Sequence, residues 1–76
     1  MKIYIALCCD RQTDPEVFAS TTLRVAVRHA KTFVEENARF PEGIREVHYD
    51  SYEYFCSYSS EEYDYVCVKE VELYES

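Results

Sequence analysis

Apolar and polar positions along this chain fall into a strand, a helix and a long β-rich tail. Residues 2–9 alternate within an apolar run, with Ile3, Ile5, Leu7 and Cys9 in one phase and Lys2, Tyr4, Ala6 and Cys8 in the other. Asp10-Arg11-Gln12-Thr13-Asp14-Pro15 is a turn-forming stretch. Glu16–Ala19 then reads either as a second short strand paired back on the first or as an extended approach to a helix. The helix itself is marked by Leu23, Ala26, Val27, Ala30, Phe33 and Val34, whose spacing makes one apolar stripe. Ser20 or Thr21 is the expected N-cap. The pattern ends near Asn37 or Ala38, ahead of Pro41 and Gly43. The expected packing sets Leu23, Val27, Ala30 and Val34 against Ile3, Ile5 and Leu7. The outer helix face carries Arg24, Arg28, Lys31 and Glu35, with Lys31 and Glu35 at the spacing of an ion pair.

Residues 46–58 and 63–74 read as two further strands joined through Ser59-Ser60-Glu61-Glu62. A turn centred between Glu61 and Glu62 sets Cys56 opposite Cys67 and Tyr58 opposite Tyr65. Tyr52, Tyr54, Cys56 and Tyr58 then share one face. In the last strand Val66 and Val68 take one phase, Val71 and Leu73 the other. A bulge near Lys69-Glu70 reconciles them; otherwise Cys67, Val71 and Leu73 build the core, with Lys69 laying its stem along the sheet. The expectation is one α+β domain over residues 1–76, a small antiparallel sheet with one amphipathic helix on one face, in ββαββ or βαββ order.

Charge changes the picture, because it is sorted. Residues 1–45 carry seven basic and six acidic side chains, whereas residues 46–76 carry nine acidic ones and one basic, Lys69, within an overall net charge of −7. Seven of the eight tyrosines lie in the same acidic segment. Carboxylates steer encounters with basic partners, and tyrosine supplies rigid contact area with a polar tip. Tyr52, Glu53, Tyr54, Tyr58, Glu61, Glu62, Asp64 and Tyr65 are therefore the candidate partner-binding residues, with Tyr52 and Tyr54 as anchors. The plainer account is a half-exposed antiparallel sheet, where tyrosine is at home and carboxylates face water. The acidic balance argues against direct contact with nucleic-acid phosphates.

Catalytic chemistry finds no signature. Neither His29 nor His48 shares a motif with a nucleophile, and a single glycine leaves no glycine-rich phosphate loop. Zinc pairs need closely spaced ligands, so a set of Cys56, Cys67, His48 and one of Cys8 and Cys9 is poorly patterned. Small core thiols are the alternative. No catalytic residue, metal or cofactor is expected. Residues 1–10 hold too short an apolar run for a signal peptide, no stretch reaches membrane-span length, and a cytoplasmic location follows. A chain this short also gains from self-association, so a homodimer is a further expectation.

Met1-Lys2-Ile3-Tyr4-Ile5, Ala19-Ser20-Thr21-Thr22-Leu23 and Val68-Lys69-Glu70-Val71-Glu72-Leu73 together resemble a loose group of short phage and prophage α+β proteins. Some of these are anti-CRISPR or other anti-defence inhibitors. The resemblance implies a non-enzymatic inhibitor in the host cytoplasm, bound to a basic surface of a host protein or nucleoprotein complex that handles nucleic acid, and it implies no site residues. The competing expectation is a homo-oligomeric accessory or adaptor protein that assembles through its tyrosine-rich sheet.

Overall fold

A computed structural model describes residues 1–59 and 63–74. Strand β1 (Lys2–Cys9) and strand β2 (Glu16–Ser20) form a hairpin, followed by helix α1 (Leu23–Asn37), a short 3-10 turn (Pro41–Gly43), and strands β3 (Arg45–Glu46), β4 (Tyr54–Ser57) and β5 (Tyr65–Glu72). All neighbours pair antiparallel in one five-stranded sheet of order β2-β1-β5-β4-β3. The fold is α+β with one helix on the sheet, as the sequence pattern requires. Glu16–Ser20 is a strand, and a second extension, β3, adds to the expected order.

The helix stripe is the one expected: Ala26, Ala30, Phe33 and Val34 are buried, with Leu23 and Val27 packed at its margin. Its N-cap is Thr22, one or two residues later than expected, and the Thr22 side chain makes no capping bond. Ser20 Oγ instead accepts from the Thr22 amide at 3.1 Å, which turns the chain out of β2 and into the helix. At the far end Asn37 Nδ2 donates to the Phe33 carbonyl at 2.8 Å, folding its own side chain back over the last turn. Lys31 does not pair with Glu35; its ammonium lies 5.6 Å from the centre of the Tyr54 ring.

The sheet meets the helix with the opposite phase from the one expected. Paired residues share a face, so two rows run beneath the helix: Phe18–Ala6–Val68–Tyr54 and Glu16–Cys8–Val66–Cys56. Ala6, Cys8, Cys56, Val66 and Val68 are fully or almost fully buried there. Ile3, Ile5 and Leu7 lie on the other face. The reason is size. Ala6 and Cys8 oppose a helix surface built on Ala26 and Ala30, so small side chains on both elements let the backbones approach, and bulkier rings and valines fill the flanks.

β5 is unbroken and pairs with β1 over eight residues, from Lys2–Glu72 to Cys9–Tyr65, with no bulge at Lys69-Glu70. Val66 and Val68 face the helix, while Cys67 and Val71 face away. The β4–β5 register also differs by one residue: Cys56 opposes Val66, Phe55 opposes Cys67, and Ser57 opposes Tyr65. A one-residue slip moves every side chain to the other face. Cys56 and Cys67 therefore project from opposite faces, which removes the expected cross-strand thiol pair. The turn residues Ser60, Glu61 and Glu62 lie outside the described residues.

The chain's single glycine is placed by a close approach. A Cβ at Gly43 would collide with the Tyr58 carbonyl, so the turn after the helix seats directly against the end of β4 only because Gly43 has no side chain.

Candidate functional site

The acidic, tyrosine-rich segment does not form one surface. Tyr58 is 2% exposed. Its hydroxyl lies 2.7 Å from Asp10 Oδ2 and 2.9 Å from the Cys9 carbonyl, one proton between two acceptors. Burial, followed by the Asp10 carboxylate, pushes its phenol pKa up. Asp64 is also buried. Its Oδ1 accepts from the Arg11 amide at 2.9 Å and its Oδ2 from the Arg11 guanidinium at 2.7 and 3.0 Å. Those bonds hold its carboxyl below the usual carboxylate range against the opposing effect of burial. Both residues lock the β1–β2 turn to the β4–β5 end of the sheet. Neither can serve as the partner contact expected of it.

Tyr54 is half-buried on the helix side, and burial is the first cause of its raised pKa. Tyr65 is half-buried on the opposite face, its ring stacked on Phe55 at 5.5 Å. Tyr52 and Glu53 belong to neither strand. The expected strand 46–58 breaks at residues 47–53, where Asp50-Ser51 supplies turn chemistry and the Tyr52 amide donates to the Tyr49 carbonyl at 3.2 Å. Glu61 and Glu62 lie outside the described residues.

Loop 47–53 is what remains as a coherent site. Its ends are tied down: the Val47 amide donates to the Phe55 carbonyl at 3.1 Å, and the Glu53 amide to the Val68 carbonyl at 2.8 Å. Inside, Tyr49 meets Phe55 edge-on at 5.0 Å, and Tyr52 lies 5.8 Å from the same ring. Aromatic contacts of this kind seat the loop on Phe55. Glu53 borders the cleft with these rings and Asp50 lies between Tyr49 and Tyr52 in sequence, whereas Glu46 stands beside Tyr54 on the helix side; all three are exposed. His48 is exposed too, its Nε2 3.5 Å from Asp50 Oδ1. Glu46, His48, Tyr49, Tyr52, Glu53 and Tyr54 border a shallow cleft of about 260 Å³. The pattern of carboxylates on a tyrosine surface survives here, although Glu46, Tyr49, Asp50 and Phe55 were not among the sequence candidates. The Asp50-Ser51 pair was the available signal, since it punctuates an otherwise strand-like run.

A larger cleft, about 570 Å³, lies between the β1–β2 turn and the end of the helix. Arg11 is held by Asp64, and Asp10 by Tyr58. Gln12, Glu36, Arg39 and Glu42 also line it.

The thiols are dispersed. Cys8 and Cys56 are buried beneath the helix, Cys67 is buried on the opposite face, and Cys9 is half-buried. Burial first, then the nearby Glu16, pushes the Cys8 thiol up to about 12, so it carries almost no thiolate at neutral pH. His48 stands in solvent on loop 47–53. His29 stacks on Phe18 with ring centres 4.1 Å apart and sets Nε2 2.7 Å from Glu16 Oε1. Among the described residues no three His, Cys, Asp or Glu side chains converge as a metal site would need, and no helix is long and apolar enough to cross a membrane.

Comparison with protein-family models, with curated proteins and with solved structures finds no match to this chain.

Proposed function

We propose that this chain is a non-enzymatic inhibitor of the phage anti-defence kind, which acts in the host cytoplasm by occupying a basic surface of a nucleic-acid-handling complex, and that loop 47–53 is its contact. The observation that carries the reading is loop 47–53 itself, where exposed Asp50 and Glu53 accompany the exposed ring of Tyr49 and the half-buried ring of Tyr52. Arginine is the side chain such a cluster suits. A carboxylate takes its fork of donors, and a tyrosine face takes its plane. Lysine and arginine are also what a protein uses to hold nucleic-acid phosphates, so a rigid acidic loop competes for the same residues. The net charge of −7 disfavours direct nucleic-acid binding.

The test has a cellular and a molecular arm. The chain is expressed in a bacterium whose defence complex restricts a phage, and plating efficiency is measured. The purified complex is then titrated with the chain at two salt concentrations. The expected result is restored plating with the parent and its loss with Tyr52→Ala plus Glu53→Lys. Tyr52→Ala alone should cost on the order of 2 kcal/mol of binding. Higher salt should slow association, because steering is screened beyond about 8 Å at physiological ionic strength. Binding that survives the loop changes but is lost with Arg24→Glu plus Arg28→Glu would overturn the reading.

A further inference from the structure

The larger cleft, about 570 Å³, has the size of a small-molecule site. Its floor is set before any ligand arrives. Tyr58 and Asp64 are each 2% exposed, and both spend their side chains on the β1–β2 turn, Tyr58 on Asp10 and Asp64 on Arg11. Gly43 lets the 3-10 turn seat against the Tyr58 carbonyl. Above this floor stand Arg39, Glu36 and Glu42, charges of both signs that make no ion pair among the described residues. We propose that the cleft binds a free peptide of two or three residues, its carboxylate end on Arg11 and Arg39, its ammonium end toward Glu36 and Glu42, and an apolar side chain on the ring of Phe40.

Charge distinguishes the two ends. Arg11 gives Nε and Nη2 to Asp64 Oδ2 at 3.0 and 2.7 Å, and its Nη1 makes no bond among the described residues. Arg39 stands close by: the Arg11 bonds first, and Arg39 through its charge, hold the Asp64 carboxyl low. Asp10, the other carboxylate there, is engaged by the Tyr58 hydroxyl and the Gln12 amide. Two guanidinium groups thus share one buried carboxylate, and donors remain for a carboxylate from a ligand. The helix side is the opposite. Glu36 lies in the last turn of α1, where partial negative charge gathers on the open carbonyls, and that turn holds no basic residue. Glu42 follows in the 3-10 turn. An ammonium is what these groups lack.

Size narrows the class. The volume corresponds to roughly 8 Å across, which two or three extended residues cover at about 3.5 Å each. A free amino acid sets its two charges too close together to reach both ends. The terminus of a larger protein brings only one of them. Phe40, 65% exposed at the cleft, offers a flat apolar surface to a side chain of the peptide.

Amide NMR titration of the full chain with glycyl-phenylalanine tests this, beside the N-acetyl and C-amide forms, each of which lacks one charge. The parent dipeptide should bind with a dissociation constant on the order of 1 mM and shift the amides of Gln12, Asn37 and Phe40. Each capped form should bind roughly fivefold or more weakly. Arg39→Gln should weaken the parent dipeptide and leave the C-amide form unchanged. Glu36→Gln plus Glu42→Gln should weaken it and leave the N-acetyl form unchanged. All three side chains are exposed, so the fold survives, as the remaining amides verify. No shift at about ten times the expected constant overturns the inference. A capped form that binds as well as the parent overturns it too, and leaves the cleft to the terminus of a larger chain. Shifts confined to other parts of the surface do the same. Loop 47–53 lines a separate cleft, so its proposed contact stands or falls by its own titration.

Discussion

The two faces of the sheet share the same strands and differ in how their apolar groups are sized. Beneath the helix the central positions are small, Ala6 and Cys8 on β1, and they are wholly buried. On the bare face the same strand presents Ile3, Ile5 and Leu7, which are larger and only half-buried. Hydropathy alone ranks the faces in the wrong order. A helix is a broad cylinder, and it settles where small side chains let it come close. Bulk in the middle of a face is therefore a sign of something other than a helix on top.

The largest test of this contrast sits within β5. Val68 and Val71 are three residues apart and point to opposite faces. Val68→Asp would leave a charge unpaired under the helix, at a cost of roughly 4 kcal/mol, enough to unfold most of a chain this small. Val71→Asp should cost roughly 1 kcal/mol. Urea unfolding of dilute protein measures both. Similar losses for the two would mean that the faces are equally closed.

A smaller effect is expected from the Arg11–Asp64 bond that fixes the far end of both faces. Asp64→Ala should cost roughly 2 kcal/mol, moderated because Arg11 is half-exposed and can return to water. The Asp64 carboxyl has a lower pKa folded than unfolded. Its contribution is complete above the unfolded value of about 3.9 and disappears as pH falls through the folded value. The parent should lose stability below about pH 4 more steeply than Asp64→Ala. Parallel acid-unfolding curves would show that the bond contributes little.

The smallest effect is Tyr58→Phe, which keeps the buried ring and removes one hydroxyl. A loss of roughly 1 kcal/mol is expected. A neutral result would mean that water replaces the hydroxyl between Asp10 and Cys9.

The helix, its stripe and its end near Asn37 were legible because a 3.6-residue period over four turns has few competing explanations. The phase of β1 was not, since both of its phases are apolar and the choice rests on the size of Ala26 and Ala30 across the gap. The hairpin register turned on one residue of turn placement among Ser59-Ser60-Glu61-Glu62, and a slip of one exchanges Cys67 for Val66 in the core. Of the candidate site, Tyr52, Glu53 and Tyr54 border the loop cleft. Tyr58 and Asp64 were misassigned because a polar residue that is buried and fully bonded looks, in sequence, like one that is exposed. The carboxylate of Asp64 has its partner fifty-three residues away in Arg11.

Loop 47–53 hangs from two backbone bonds, at Val47 and at Glu53, and leans on the ring of Phe55 between them. A free loop of that length surrenders backbone entropy when a partner fixes it, at about 1–2 kcal/mol per residue. Here the end bonds, the Tyr52–Tyr49 turn bond and the packing on Phe55 incur part of that loss on folding. On the proposed reading, the loop would meet a target in a shape set before contact. If the proposed contact holds, a partner whose arginines are displaced by a small distance should then bind more weakly than one that fits.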